Sequence, residues 1–126
     1  MNVLLQQVTI IAASSAYHKQ VKDILIIDGV IKQIANAISP ENYEVIKGNN
    51  LHVSIGWMDI FADFAEPGNE HRETLESGAN AAAAGGFTDV MLIPNTNPVV
   101  DSKAPIEFLI ERAKQLPINE IGRAHV

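Results

Sequence analysis

The sequence contains no cysteine. Disulfides and thiolate metal sites are therefore excluded, and cytoplasmic residence is the expectation for the chain. Basic charge is scarce: 9 Lys and Arg stand against 15 Asp and Glu, for a net charge of −6. The basic residues form no run. Nucleic acid is not expected as a partner, because neutralising phosphates requires clustered Lys and Arg. Long apolar runs are missing too. No stretch approaches the roughly 18 apolar residues of a spanning helix, so no membrane segment is expected. The opening MNVLLQQVTIIAASSA has no cationic start. Its apolar runs are broken by Gln6, Gln7 and Thr9, which makes a poor secretory signal. No GxSxG, P-loop or GxGxxG pattern occurs. What is present is 47% hydrophobic residues in 126, enough to bury a core and too many for a disordered chain.

The chain changes character near Ser54. Before it the pattern predicts short strands. Val3–Ile11 (VLLQQVTII) is rich in β-branched residues. Ser14–Lys19 reads as a polar turn. Lys22–Ile27 and Val30–Ala35 flank Asp28-Gly29, a pair suited to the positive φ angles of a two-residue hairpin turn. Tyr43–Ile46 and Leu51–Val53 read as further strands, separated by the turn Gly48-Asn49-Asn50. Short strands at this spacing imply a small sandwich.

After Ser54 strands and helices alternate. Ile55–Phe61 reads as a buried strand and Glu70–Ala84 as a helix, with Leu75, Ala79, Ala82 and Ala83 at helical spacing. Gly85-Gly86 should stop that helix through a left-handed residue. The near-continuous apolar run Phe87–Ile93 fits a parallel strand covered on both faces. Pro94–Pro98 (PNTNP) follows as a rigid loop. Ser102 is placed to cap a second helix running through Gln115, with Ile106, Leu109, Ile110 and Ala113 on one face. This grammar fits an open doubly wound sheet or a parallel α/β barrel. A closed barrel takes roughly 250 residues, and only about 70 follow Ser54.

Strand alternation would place Asp59, Phe61 and Asp63 on one side, at the C-terminal end of the strand where barrel active sites lie. Two carboxylates there can hold a hard cation, so Asp59 and Asp63 are weak metal candidates; the bland alternative is a loop hydrogen bond and a solvated carboxylate. Asn95 and Asn97 offer amide donors and acceptors between prolines, or else form an ordinary Asx turn. His18, His52 and His71 lie apart and read as turn or surface residues. Gly85-Gly86 runs from helix to strand, the wrong direction for a phosphate loop.

Taken together, the stretch from Ile55 to Ser102 resembles the first barrel segment of dihydroorotase, in the amidohydrolase superfamily. The family pattern is P-G-x-x-D-x-H-x-H-x-R-E-P-G, a helix ending A-A-A-G-G-F-T, a strand, and P-N-T-x-P. Asp59, Glu66-Pro67-Gly68, Ala82–Thr88 and Pro94–Pro98 match it in order and spacing, and DILIIDGVI at Asp23–Ile31 resembles part of the family's small β domain. The resemblance implies an α/β chain. Residues 1–53 would be part of a β-sandwich, and residues 54–119 the first two βα units of a metal-dependent-hydrolase (β/α)8 TIM barrel.

The departures from the pattern bear on function. The family's two metal-binding histidines fall on Phe61 and Asp63, and its substrate-carboxylate arginine falls on Ala65. Asn95 keeps a substrate-contacting position. Zinc serves the family by activating water for hydrolysis of a cyclic amide. Phe61 has no lone pair, and Ala65 cannot make the paired charged hydrogen bonds of arginine. The resemblance thus implies a fragment of a pyrimidine-biosynthesis homologue with no catalytic residue and no cofactor of its own. Implied partners are a second copy of the chain or an aspartate transcarbamoylase that it supports. An active cyclic-amide hydrolase with altered ligands, acting on dihydroorotate or carbamoyl aspartate, is the alternative. Finally, Glu120–Val126 (EIGRAHV) does not continue the pattern. One set of codons for it coincides with a common short-read sequencing adapter, so residues 120–126 are expected to be a non-native tail.

Overall fold

In the computed structural model the described residues are 2–122. They form two compact units, divided between Ile55 and Gly56.

The first unit is a single five-stranded sheet. Its strands are β1 (Asn2–Ile11), β2 (Val21–Ile27), β3 (Val30–Ala35), β4 (Glu44–Lys47) and β5 (His52–Ser54). The order is β3-β2-β1-β4, with β5 also on β1. β1–β2 and β2–β3 are antiparallel, whereas β4 and β5 run parallel to β1. The Asp28-Gly29 turn has φ of 50° and 77° at its two residues, as a tight hairpin between right-twisted strands requires. Val8, Ile10 and Ile24 form the buried centre. A sandwich needs two sheets, and the described residues of this unit supply one.

One irregularity organises this unit. The β1–β2 register shifts between Leu5 and Val8, and Gln7 sits there at φ 54°. A left-handed non-glycine residue is unfavourable unless something compensates. The compensation is Asp23 on β2, which is 2% exposed. Its carboxylate accepts from the Gln7 backbone N–H (2.9 Å), the Gln7 side-chain amide (2.9 Å) and the Ile38 N–H (2.9 Å). Burial alone would push the Asp23 carboxyl up; the hydrogen bonds from Gln7 and Ile38 outweigh it and hold it below its ordinary value.

The second unit alternates β6 (Trp57–Ala62), α1 (Leu75–Ala84), β7 (Phe87–Leu92), α2 (Lys103–Ala113) and β8 (Asn119–Gly122). The three strands are parallel and in sequence order, β6-β7-β8, with no reversal. The core joins sheet to helices: Ala62, Val90 and Leu92 from the strands meet Leu75 and Ala79 of α1 and Leu109 of α2. Leu75 and Leu109 are almost wholly buried, contributing about 2 kcal/mol each.

Several details differ from the sequence-based expectation. α1 begins at Leu75 rather than Glu70, because Thr74 caps it. The Thr74 hydroxyl accepts from Ser77 N–H at 3.0 Å, and the Ser77 hydroxyl accepts from Thr74 N–H at 3.0 Å. That reciprocal box fixes the first turn. Gly85 keeps a right-handed conformation, and Gly86, at φ 83°, is the left-handed residue. Ser102 occupies the cap position of α2 without a side-chain cap bond. Ile110 is 48% exposed, so it does not share the buried face of Leu109. Residues 120–122 of the expected non-native tail carry the backbone of β8, and residues 123–126 lie outside the described residues.

Candidate functional site

The C-terminal ends of β6 and β7 carry the candidate residues. β6 is not a regular strand. Between Asp59 and Ala62 its register against β7 slips, with Asp59 opposite Val90 and Ala62 opposite Leu92. The extra residue breaks the period-2 alternation on which the shared face of residues 59, 61 and 63 depended. Asp59 and Asp63 both line a cavity of about 230 Å³ beside α1, with Ala62, Gly78 and Ala82 among its walls. Phe61 does not belong to that lining and is 69% exposed. The grouping of 59, 61 and 63 on one face is therefore corrected: the two carboxylates share a cavity and the ring stands apart.

Each carboxylate has a protein partner. Asp59 accepts from the Phe61 N–H at 2.9 Å, which caps the bulge. Asp63 faces the Arg72 guanidinium at 3.4 Å, with side chains 37% and 57% exposed. Ala65 is buried, so the methyl group at this position is packed against protein. Asn95 is exposed on the 94–98 loop, whereas its neighbour Thr96 is buried and donates to the Pro98 carbonyl at 2.8 Å. Glu70 accepts from the Gly68 N–H at 2.8 Å, which lowers its carboxyl pKa.

The histidines among the described residues serve turns or lie at the surface. His18 accepts the Ala12 N–H through Nδ1 at 3.1 Å, and His52 Nδ1 lies 2.8 Å from the Asn50 carbonyl. His71 is exposed. Among the described residues no three His, Asp or Glu side chains gather closely enough to hold a metal ion. The donors present at the strand end do not fit zinc. Position 61 offers a ring with no lone pair, and the other candidates there are two carboxylates, Asp59, which accepts the Phe61 N–H, and Asp63, which faces a guanidinium, with no imidazole. Zinc needs imidazole or free carboxylate lone pairs in a tetrahedral set.

Two features escaped the sequence. Glu66 is a buried carboxylate, 8% exposed, that joins both helices; its only sequence signal was membership of an acidic-Pro-Gly loop. Asp89 in β7 accepts from Thr88 Oγ1 (2.7 Å) and from Asn119 Nδ2 (3.1 Å), tying the start of β8 to β7.

Solved structures share this fold. An L-hydantoinase (dihydropyrimidinase) from Arthrobacter aurescens matches with a TM-score of 0.74 at 20% identity, over 97% of this chain and 27% of that one. A dihydroorotase matches with a TM-score of 0.66 at 16% identity, over 98% of this chain and 30% of that one. Over the matched lengths these structures share the mixed α/β architecture described above.

Sequence relatives narrow the class. The chain is 47% identical over 93 residues to a dihydroorotase of Bacillus cytotoxicus, covering 74% of this chain and 22% of that protein. It is 39% identical over 115 residues to a dihydroorotase of Geobacter metallireducens, covering 90% of this chain and 27% of that protein. The profile of the dihydro-orotase-like family matches residues 52–124. The chain belongs to the dihydroorotase-like family, and it spans about a quarter of the length of these relatives.

Proposed function

We propose that this chain is the N-terminal segment of a dihydroorotase homologue of pyrimidine biosynthesis that does not itself perform metal-dependent hydrolysis. In this reading residues 1–53 contribute to a β-sandwich and residues 54–119 to the first βα units of a (β/α)8 barrel. The sequential parallel order β6-β7-β8 suits the opening strands of a barrel and equally one half of a doubly wound sheet, whose order reverses only at its switch point; the family match over residues 52–124 favours the barrel. The single observation that carries the functional reading is the state of the first strand end: an exposed ring at Phe61, an Asp63 that faces Arg72, and a buried methyl at Ala65.

In the family those positions hold two imidazoles and a guanidinium. Hydrolysis of a cyclic amide at neutral pH needs a nucleophile stronger than bulk water, and a bound metal supplies it by lowering the pKa of water to about 7. Phe61 cannot contribute to such a centre. Asp63 would offer one carboxylate oxygen beside the one that faces Arg72, and no imidazole. The side chains at hand can still bind: Asn95 presents both an amide donor and an acceptor to a ring amide or carboxylate. A role in holding a partner, such as an aspartate transcarbamoylase or a second copy, needs no water activation and fits the same residues.

The active-hydrolase alternative requires Asp59 and Asp63 to recruit another ion. Grafting tests the choice. In an active dihydroorotase the two histidines and the arginine of the strand end are replaced together by Phe, Asp and Ala. Turnover is expected to fall by roughly three orders of magnitude or more, with loss of the bound metal. Retention of metal and of near-normal turnover would overturn the non-catalytic reading.

A further inference from the structure

Glu66 joins its loop to both helices of the second unit. One carboxylate oxygen, Oε2, accepts the Leu75 N–H at 2.9 Å, the first free amide of α1. The other, Oε1, lies 3.4 Å from Arg112 Nη2 in the last turn of α2. The turn after it is closed by Asn69 N–H donating to the Ala65 carbonyl at 2.9 Å. Its loop in turn grips the next one. Asn97 N–H donates to the Pro67 carbonyl at 2.9 Å. Gly68, at φ +100°, lies so close that a Cβ would run into the Asn97 carbonyl. The Glu66 side chain is 11% exposed but that of Arg112 is 52% exposed, and a pair screened by solvent on one side contributes little stability; what it supplies is fixed geometry.

We propose that Glu66 is the positioning residue of the ligand-facing rim: by bridging α1 and Arg112 it sets the 66–68 loop and, through Gly68 and Pro67, the 94–98 loop that presents Asn95. The ligand part of this proposal rests on the reading that Asn95 contacts a cyclic amide or its ring-opened acid.

The test is residue-resolved amide hydrogen exchange on the full chain, comparing wild type with Glu66→Ala and Arg112→Met. Glu66→Ala is expected to accelerate exchange at Leu75 and Asn97 by about tenfold or more, while Val90 and Leu92 in β7 keep their protection. Arg112→Met keeps the Leu75 bond, so it should show the same pattern, weaker at Leu75. An equal change at all four amides would mean that Glu66 supports only global stability, and no change at Asn97 would mean that the loops are not coupled; either result overturns the proposal. In parallel, L-dihydroorotate is titrated against the Asn95 side-chain amide signal. A shift in wild type that needs about tenfold more ligand in Glu66→Ala supports both readings. Protection lost at Asn97, with no ligand-induced shift even in wild type, keeps the positioning role and removes the ligand reading.

Discussion

Asp23 in the first unit and Glu66 in the second are both buried carboxylates, yet they are held by different chemistry. Among the described residues, the donors to Asp23 are neutral N–H groups, two on Gln7 and one on Ile38. Glu66 combines one N–H, from Leu75, with the Arg112 guanidinium. The first repairs a left-handed residue inside a sheet, a local fault with a local remedy. The second ties a loop to two helices and has no fault to repair. Burial of a charge therefore has two meanings in one chain: backbone compensation in the first unit, and loop placement in the second.

The largest effect is expected at Asp23. Asp23→Ala leaves its N–H donors without an acceptor and Gln7 without compensation, so the first unit should lose about 2–3 kcal/mol in denaturant unfolding. Asp23→Asn keeps one acceptor and should lose less. A loss within experimental error would show that water replaces the carboxylate at no cost.

Acid should reproduce part of that loss. The Asp23 pKa is held below its ordinary 3.8 in the folded state, so the unfolded chain takes up the proton first. The stabilisation is fully present above the unfolded value and disappears as pH falls through the lower folded one. Unfolding midpoints of the first unit compared at neutral pH and below pH ~3 should differ more in wild type than in Asp23→Asn. Equal pH dependence would assign the acid sensitivity to other carboxylates.

A smaller effect is expected from the cap of α1. Thr74→Ala removes one arm of the reciprocal box and should destabilise the second unit by about 1 kcal/mol, with the first unit unchanged. Smallest of all is Arg72→Ala. The Asp63–Arg72 pair is exposed, so its loss should change stability by less than about 0.5 kcal/mol and the change should shrink further in high salt. An effect of 2 kcal/mol or more would mean that this pair, like Glu66–Arg112, holds the rim.

The contrast between the units also marks what sequence patterns reveal. Strand positions in the first unit follow from β-branched runs, and its hairpin from Asp28-Gly29, because turn chemistry is local. The bulge at Gln7 was hidden: the residue that makes it tolerable lies sixteen positions away. Parallel pairing of β4 and β5 with β1 is equally non-local. In the second unit the strand–helix alternation was legible, but the start of α1 was not, because a Thr–Ser pair replaced the expected acidic partner of a capping box. The slip in β6 had no composition signal, and it separated Phe61 from Asp59 and Asp63. Glu66 was visible only as a motif letter; Arg112, forty-six residues on, supplies its meaning.

One measurement bears most directly on the functional reading: zinc-dependent opening of the dihydroorotate ring by the protein that carries this segment, purified with zinc present. No rate above the uncatalysed reaction is expected, since Phe61 and Ala65 cannot take the places of imidazole and guanidinium. Turnover at an ordinary enzymatic rate, on the order of 1–10³ per second, abolished by chelation and restored by zinc, would contradict it.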